Sequence, residues 1–245
     1  MKVVVFGGTG LIGRKLIALL EQAGHEAVPA SPASGVDTIA GTGLDEVLTG
    51  ADVSVDVTNS PSFAPDDVLH FFRTSTANQL AAAARAGVAH HVALSIVGTD
   101  RVPDSGYLRA KVAQEDLIVN GPIPFTIVRA TQFFGFAAGI AASSAAPDGT
   151  LRLTPATLQP VAADDVAATL ADAVQAEPVK GIVELGGPEK IGLDEFVRRV
   201  VPSTQPVISD PTAPYFGAVI DDTSLVTSDG ARIGEITYAE WLAAR

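Results

Sequence analysis

The 245-residue sequence contains no cysteine, a single tryptophan, a single methionine and few positive charges. Without cysteine, disulfides, thiolate metal sites and cysteine nucleophiles are excluded. Lys and Arg number 16 against 28 Asp and Glu, a formal net charge of −12. This balance argues against nucleic acid as a partner, because phosphate backbones bind basic surfaces. The four histidines lack metal-ligand spacing, so no metal site is expected.

Long uninterrupted apolar segments are also missing. The most apolar stretch, residues 133–146, is shorter than a membrane span and rich in small residues, so no membrane association is expected. An apolar strand is predicted from residue 2 or 3, which leaves no room for a signal peptide before it, and we expect a soluble cytoplasmic protein. With 47% hydrophobic residues, the chain can still bury a sizeable core.

The first thirteen residues contain the most informative pattern. An apolar strand runs into glycines spaced three apart, and an amphipathic helix follows. Gly7 permits a tight turn, Gly10 lets the backbone approach phosphates, and Gly13 lets the helix pack closely on the strand. Backbone N–H groups at a helix N-terminus bind a pyrophosphate, so we predict a nucleotide-binding loop; the alternative is a purely structural glycine turn. The candidate contacts are Gly7, Thr9, Gly10, Leu11, Ile12 and Gly13.

Apolar segments of strand length alternate with helical segments along the first 130 residues. Strands that are apolar on both sides and alternate with helices are typical of a parallel sheet covered on both faces. The sequence therefore predicts an α/β fold with a Rossmann-like, doubly wound parallel sheet. The predicted strands are residues 2–6, 25–29, 53–58, 91–97 and 125–129, and the predicted helices are residues 11–22, 44–48, 65–86 and 107–119.

The pattern changes after about residue 130, where a small-residue helix is predicted over residues 133–146. We expect one domain, residues 1–245, in which the residues from about 130 onward contribute a small C-terminal substrate-binding lobe. The other elements predicted in this part are strands at residues 151–153 and 182–185 and helices at residues 163–175, 193–201 and 238–244.

Tyr107 and Lys111 form a Tyr-x-x-x-Lys pair within a predicted helix. Residues four apart share one face of a helix, and a nearby ammonium favours the phenolate form of tyrosine. We therefore expect Lys111 to lower the pKa of Tyr107 toward neutrality, which makes Tyr107 a usable proton donor. Ser95 lies toward the end of a predicted strand, twelve residues before Tyr107, where its hydroxyl can hydrogen-bond a substrate carbonyl.

Further segments belong to the same pattern: Ala84-Arg85-Ala86-Gly87-Val88 leads into one strand, residues 121–129 lead into and include the next, and Asp164-Asp165-Val166-Ala167 opens a helix. With the glycine loop, Ser95 and the Tyr107–Lys111 pair, they resemble the short-chain dehydrogenase/reductase superfamily. More narrowly, the chain resembles the atypical branch of NmrA-like NAD(P)-binding proteins. The resemblance covers about residues 1–190.

The resemblance implies a division of roles in catalysis. Tyr107 would be the general acid in reduction or the base in oxidation, Lys111 would lower its pKa and hydrogen-bond the nicotinamide ribose, and Ser95 would polarise the carbonyl. Many members of the superfamily also carry an asparagine that relays protons from the helix before the fourth strand. Here the matching position falls near Phe71-Phe72, with Asn78 a turn or two later, so the proton relay is left open.

The end of the second predicted strand bears on the choice of cofactor. Residues 28–34 contain no carboxylate to hold a ribose 2′-hydroxyl or to repel a 2′-phosphate. Ser31 and Ser34 can donate hydrogen bonds there, and Arg14 can reach the same area. NADP(H) is therefore favoured over NAD(H); the alternative for Arg14 is a solvated helix residue.

Other candidates follow the third and fifth predicted strands. Asn59 is expected either beside the nicotinamide end of the cofactor or in a plain turn. Arg129 ends the fifth strand, where a buried ion pair is favoured over a site for an anionic substrate. The residues after it lie where ligands bind in open α/β sheets. The candidate substrate-binding residues are Phe63, Thr131, Gln132, Phe133 and Phe136.

The sequence leaves three functions open. The leading hypothesis is an NADP(H)-dependent oxidoreductase acting on a small hydrophobic or aromatic carbonyl or alcohol. The second is an NmrA-like regulator that senses the dinucleotide without turnover. The third, a nucleotide-sugar epimerase or dehydratase, ranks lower because the lobe is small and carries few basic residues. A small-molecule substrate is the expected partner, and a homodimer is left open.

Overall fold

Strands and helices alternate through most of the chain, as the sequence predicts. The computed structural model describes residues 1–244. In chain order, the strands are β1 (Lys2–Phe6), β2 (Glu26–Ala30), β3 (Val53–Asp56), β4 (His90–Ile96), β5 (Phe125–Ala130), β6 (Leu151–Leu153), β7 (Thr157–Leu158), β8 (Gly181–Gly186), β9 (Ile191–Gly192), β10 (Val207–Ser209) and β11 (Arg232–Ile233). The helices are α1 (Leu11–Gln22), α2 (Leu44–Leu48), α3 (Pro65–Ala86), α4 (Gly106–Val119), α5 (Phe136–Ser143), α6 (Ala163–Gln175), α7 (Leu193–Arg198) and α8 (Tyr238–Ala243).

The predicted parallel sheet is confirmed. Within residues 1–244 it has seven strands in the order β11-β8-β5-β4-β3-β1-β2, and every neighbouring pair is parallel. From β1 the chain moves outward to β2 and then returns to place β3 on the other side of β1. In open α/β sheets, ligands bind at such a reversal, outside the carboxyl ends of the strands. The loops after β1 and β3 therefore frame the expected site.

Helices cover both faces of the sheet, because its strands are apolar on both sides. On one face, Leu16 of α1 and Leu170 of α6 pack against Val5, Val55 and Val92. The other face is covered by α2, α3 and α4. Three side chains of α4 differ from the usual apolar packing: Lys111, Gln114 and Glu115 are all buried. This polar layer between α4 and the sheet positions the candidate site.

A second hydrophobic cluster lies beyond β5. Phe134, Leu158, Phe196 and Tyr238 are at its centre, and short strand pairs surround it, with β6 parallel to β10 and β7 antiparallel to β9. Tyr107 of α4 packs against the same cluster, so this part of the chain adjoins the candidate site. Its role as a substrate-binding lobe stays a prediction.

Some element boundaries differ from the sequence prediction. The helix predicted over residues 133–146 begins only at Phe136, because Phe133 instead forms a parallel bridge with Val161. β3 ends at Asp56 rather than at residue 58, since the Asp56 carboxylate accepts hydrogen bonds from the backbone and hydroxyl of Thr58 and turns the chain. Strands β7, β9, β10 and β11 have two or three residues each, too few to carry a detectable periodicity.

Neither a membrane helix nor a metal cluster is found in residues 1–244. No helix there is long and apolar enough to cross a bilayer, and no group of three or more His, Asp or Glu side chains is arranged to hold a metal ion. His90 and His91 are both buried in β4, where their rings hydrogen-bond Thr126 and Ser54 respectively. These two rings therefore belong to the interior of the sheet.

Candidate active site

The glycine-rich loop connects β1 to α1. Gly7 has a φ of +79°, and a Cβ there would lie 2.9 Å from the carbonyl oxygen of Val57. A Cβ on Gly13 would collide with the carbonyl oxygen of Gly7, so close packing of α1 requires glycine. The N–H groups of the first helical turn have no intrahelical partner, and no side chain in the described chain caps this end. Thr9, Gly10 and Leu11 are exposed, whereas Ile12 is buried beneath the loop.

The end of β2 separates the two candidate serines. Ser31 is buried, and its hydroxyl has no hydrogen-bond partner among the described residues. The Ser34 hydroxyl, by contrast, closes a local turn by accepting from the Ser31 N–H and donating to the Ser31 carbonyl oxygen, both at 2.9 Å. Arg14 lies exposed on the first turns of α1. Ser31 and Arg14 are thus available to a ligand, while Ser34 is committed to the turn.

The loop after β3 reaches across to α4. The Tyr107 hydroxyl donates a hydrogen bond of 2.6 Å to Asn59 Oδ1, which also accepts from the backbone N–H of Ser60. A second hydrogen bond joins α4 to the end of β3, where Gln114 Nε2 donates to Asp56 Oδ2 at 2.9 Å. Asn59 therefore contacts the candidate general acid directly, a contact that the sequence analysis did not predict.

Tyr107 lies among aromatic rings. Its ring centroid is 5.7 Å from that of Phe63 and 6.0 Å from that of Phe72. Burial raises the pKa of Tyr107 to about 12. The expectation that Lys111 lowers this pKa toward neutrality is therefore wrong for this structure, because desolvation disfavours the phenolate and no nearby charge offsets it.

Lys111 is held in a buried polar network. Its ammonium donates to the carbonyl oxygen of Leu94 at 2.9 Å and to Gln114 Oε1, and it lies 4.4 Å from the centroid of the Phe72 ring. Burial lowers the pKa of Lys111 to about 8, although the charge of Asp56 partly counteracts this. Lys111 shares a helix face with Tyr107 as predicted, but its ammonium is engaged by Gln114 and the sheet.

Ser95 lies near the carboxyl end of β4, in register with Arg129 of β5. It is 3% exposed, and its hydroxyl has no hydrogen-bond partner within residues 1–244; the same is true of Thr99, four residues further on. A buried hydroxyl left unpaired costs free energy that a ligand can recover. These two hydroxyls are therefore the candidate donors to a polar ligand at this end of β4.

Arg129 forms the buried ion pair that the sequence favoured. Its guanidinium donates to Glu115 of α4 at 3.0 and 2.6 Å and to Asp100 at 3.0 Å. These carboxylates raise the pKa of Arg129 above its usual value despite burial. The arginine is thus saturated by protein groups, which leaves it unsuited to binding an anionic substrate.

The candidate pocket residues fall into two groups. Phe63 lies against Tyr107, whereas Phe133 and Phe136 stack on each other at 5.2 Å after β5. Thr131 and Gln132 are buried, and the Thr131 hydroxyl donates to the carbonyl oxygen of Gln159. The structure therefore brings Phe63 to the candidate acid and shows Thr131 in a structural hydrogen bond.

Sequence reasoning missed several residues that surround the site. Gln114 and Phe72 carry no motif, and their positions depend on how α3 and α4 pack on the sheet. Asp56 had a usable signal, since a carboxylate at the end of an otherwise apolar buried strand needs a partner. For Phe216 the sequence left open whether Tyr215-Phe216 covers the pocket, and the structure stacks its ring on Phe63.

Comparison with known proteins identifies the fold of the chain through solved structures, but gives no match by sequence. No family model matches the chain, and no curated protein matches it in sequence. Among solved structures, a short-chain dehydrogenase/reductase superfamily protein from Agrobacterium tumefaciens with bound NAD aligns over 100% of this chain and 95% of its own, with a TM-score of 0.70 and 18% identity. The chain has the short-chain dehydrogenase/reductase fold.

Other structures with this fold differ in activity. An NADPH-dependent quinone oxidoreductase from Escherichia coli, complexed with NADPH, is similar over 85% of this chain and 77% of its own, with a TM-score of 0.65 and 19% identity. A UDP-glucose 4-epimerase from Thermus thermophilus, complexed with NAD, is similar over 100% and 93%, with a TM-score of 0.69 and 18% identity. At these sequence identities the comparisons establish the short-chain dehydrogenase/reductase fold alone, so the activity of this chain has to be inferred from its own site. The narrower resemblance to the NmrA-like branch stays a prediction.

Proposed function

We propose that this protein is an NADP(H)-dependent oxidoreductase that acts on a small hydrophobic or aromatic carbonyl or alcohol. The observation that carries the proposal is the unpaired, buried Ser95 hydroxyl on the strand next to α4, the helix that presents Tyr107 and Lys111. A hydroxyl donor and a phenol at the carboxyl edge of a parallel sheet suit the polarisation and protonation of a carbonyl oxygen.

The residues of the fold suit a nicotinamide dinucleotide. Gly7 and Gly13 let the loop pack against its own backbone and against Val57 after β3, and the uncapped first turn of α1 offers N–H donors to a pyrophosphate. At the end of β2, the unpaired Ser31 hydroxyl and the exposed Arg14 would hold a ribose 2′-phosphate. When bound, the cofactor supplies or accepts the hydride.

The side chains of the site divide the remaining work. Ser95 donates a hydrogen bond to the substrate carbonyl oxygen and makes the carbonyl carbon more electrophilic. Tyr107 transfers its hydroxyl proton to that oxygen as the alcohol forms. A phenol with a pKa of about 12 is fully protonated at neutral pH, so the site is suited to reduction; oxidation needs the phenolate and is expected to be slow below alkaline pH.

A carbonyl panel tests this proposal. NADPH consumption is followed by the loss of its absorbance while aldehydes, ketones and quinones are supplied, and binding of NADPH is measured separately by its fluorescence. Turnover of at least one carbonyl supports the oxidoreductase. Tight binding of NADPH without turnover across aldehydes, ketones and quinones contradicts it.

The second candidate is a dinucleotide sensor, and one observation favours it. The Tyr107 proton is directed at Asn59 and the Lys111 ammonium at Leu94 and Gln114, so neither is aimed at a common substrate position. A protein that only binds the cofactor needs no such alignment. The unpaired Ser95 hydroxyl favours the oxidoreductase over the sensor, and the carbonyl panel separates the two.

A nucleotide-sugar epimerase ranks third. Chain length does not exclude it, since the chain aligns with 93% of a UDP-glucose 4-epimerase. The charges do count against it, because a nucleoside diphosphate needs free cations beyond the glycine loop. In the C-terminal part, Arg152, Arg198, Arg199 and Arg232 each pair with a carboxylate. Retention of a UDP-sugar during purification would reverse this ranking.

A further inference from the structure

An aromatic stack extends outward from the candidate acid. The Tyr107 ring contacts Phe63, and the Phe63 ring stacks on Phe216 with centroids 6.1 Å apart and planes inclined by 21°. Phe63 is 61% exposed and Phe216 is 45% exposed. Two large apolar rings that face solvent, one of them in contact with the Tyr107 ring, offer a binding surface for a flat apolar group.

Phe216 occupies a backbone position that disfavours it. The segment Tyr215–Ala218 is a tight turn closed by two backbone hydrogen bonds, and Phe216 and Gly217 both have positive φ, +44° and +84°. Two-residue turns with positive φ at both central residues normally use Asn, Asp or Gly, because a bulky side chain is strained there. Strain of this kind persists where the side chain has a function.

The same turn is anchored beside Tyr107. Tyr215 and Tyr107 pack against the same hydrophobic cluster, and burial, together with the nearby Tyr107, raises the pKa of Tyr215. The Tyr215 ring also packs edge-on against Phe216 at 4.8 Å. The C-terminal part of the chain thus fastens one side of the turn to the site and leaves the Phe216 ring exposed on the other.

We propose that Phe63 and Phe216 form an aromatic clamp that selects substrates with a flat aromatic ring, which binds between the two phenyl rings. This inference rests on the proposed function, since it uses Tyr107 as the acid. A ring held between two others requires about 7 Å between the outer rings, twice a van der Waals contact. The exposed Tyr215–Ala218 turn moves outward to admit it. The ligand's ring then replaces the contact between Phe63 and Phe216, and its carbonyl extends past the edge of the Phe63 ring toward Tyr107.

The test compares phenylacetone with cyclohexylacetone. In both ketones a methylene separates the ring from the carbonyl, so the two differ in ring planarity rather than in carbonyl reactivity. The wild-type protein is expected to have a KM about three- to tenfold lower for phenylacetone, as a net gain of one aromatic contact predicts. Phe216→Asn should abolish this preference by raising the KM for phenylacetone toward that for cyclohexylacetone. Phe216→Tyr should retain the preference.

Protein stability separates recognition from misfolding. Asn is suited to a positive φ, so Phe216→Asn is expected to keep or raise the melting temperature. The control Val179→Asn removes an equally exposed apolar side chain before β8, at the opposite edge of the sheet, and should change neither ketone's KM. A wild-type protein without the preference, or a Phe216→Asn variant that keeps it, would overturn the clamp.

A binding measurement keeps the clamp testable if turnover is absent. A fluorescent dimethylaminonaphthyl methyl ketone, titrated into the protein with NADP⁺ present, reports binding by its emission shift. Weaker binding to Phe216→Asn than to wild type, together with no turnover across the whole carbonyl panel, would support the clamp and contradict the oxidoreductase. Equal binding to both proteins would overturn the clamp whatever the activity.

Discussion

The hydroxyl of Tyr107 donates a hydrogen bond of 2.6 Å to Oδ1 of Asn59, on the loop that follows β3. The Ser60 N–H donates to the same oxygen and keeps the amide oriented. Asn59 thereby holds the phenol of α4 at the reversal point of the sheet, where the glycine loop also lies. Asn59 is thus the asparagine at the acid, because Asn78, the asparagine of α3, instead donates to the carbonyl oxygens of Thr38 and Ile39.

Removing the phenol should separate catalysis from cofactor binding. Tyr107→Phe keeps the ring and its packing but removes the proton, so kcat should fall about 10²- to 10⁴-fold. The dissociation constant for NADPH, measured by fluorescence, should stay within about twofold because the glycine loop is untouched. Turnover that survives this substitution would exclude Tyr107 as the acid.

Removing the amide of Asn59 should affect the rate more than cofactor affinity. Asn59→Ala leaves the Tyr107 hydroxyl without its partner, and kcat/KM should fall by about tenfold, as expected for a lost hydrogen bond. NADPH affinity should change little, since Asn59 Oδ1 is occupied by Tyr107 and Ser60. The matched control is Asn120→Ala, whose amide bonds only the end of α4. A large loss of NADPH affinity with unchanged kcat would instead place Asn59 in the cofactor site.

Gln114 should stabilise the polar layer beneath α4. Its amide links Asp56 to Lys111, so Gln114→Ala leaves two buried charged groups short of a partner. The free energy of unfolding in urea should fall by about 3 kcal/mol. In the surface control Gln175→Ala, the change should be within about 0.5 kcal/mol. An equal change in the free energy of unfolding for Gln114→Ala and Gln175→Ala would show that the network contributes nothing to stability.

His91 should make the fold sensitive to acid. Burial lowers the pKa of His91 from 6.5 to about 4, with Asp56 opposing the shift. Between these values the unfolded chain binds the proton and the folded chain does not. The stabilisation is therefore complete above pH 6.5 and is lost as pH falls toward 4, up to about 3 kcal/mol.

Urea unfolding at pH 7 and pH 4.5 measures this effect. His91→Asn should reduce the difference in unfolding free energy between the two pH values. The exposed control His70→Asn on α3 should leave it unchanged. The same pH dependence in wild type and His91→Asn would assign acid sensitivity to other groups.

Cofactor preference should depend on Ser31. Ser31→Asp places a carboxylate at the end of β2, where it repels a 2′-phosphate and accepts from a ribose hydroxyl. The affinity for NADPH should fall at least about tenfold, with little change in the affinity for NADH. Arg14→Ala should also lower the affinity for NADPH. The neighbouring cation Lys15 pairs with Asp164, so Lys15→Ala should change neither affinity. A wild-type preference for NADH would contradict the NADP(H) assignment.

Local chemistry made much of the fold predictable. The spacing of the glycines at residues 7, 10 and 13 predicted the tight loop, and the close approaches at Gly7 and Gly13 leave no room for a Cβ. The inner strands β1, β3, β4 and β5 were predictable because they are largely apolar and buried on both sides, and the ends of α3 follow from Pro65 and Gly87. Tyr107 and Lys111 were found because a helix places residues four apart on one face.

The sequence by itself determined the parallel sheet, the glycine loop and the identity of the candidate acid. Only the tertiary structure decided how that acid is surrounded. Lys111 points toward the sheet because its ammonium donates to the carbonyl oxygen of Leu94 in β4, and because Gln114, its other partner, is bonded to Asp56 of β3. Phe216 reaches Phe63 because the C-terminal part of the chain returns to α4. Periodicity reports which face of an element is buried, whereas contacts between distant segments depend on how all the faces fit together.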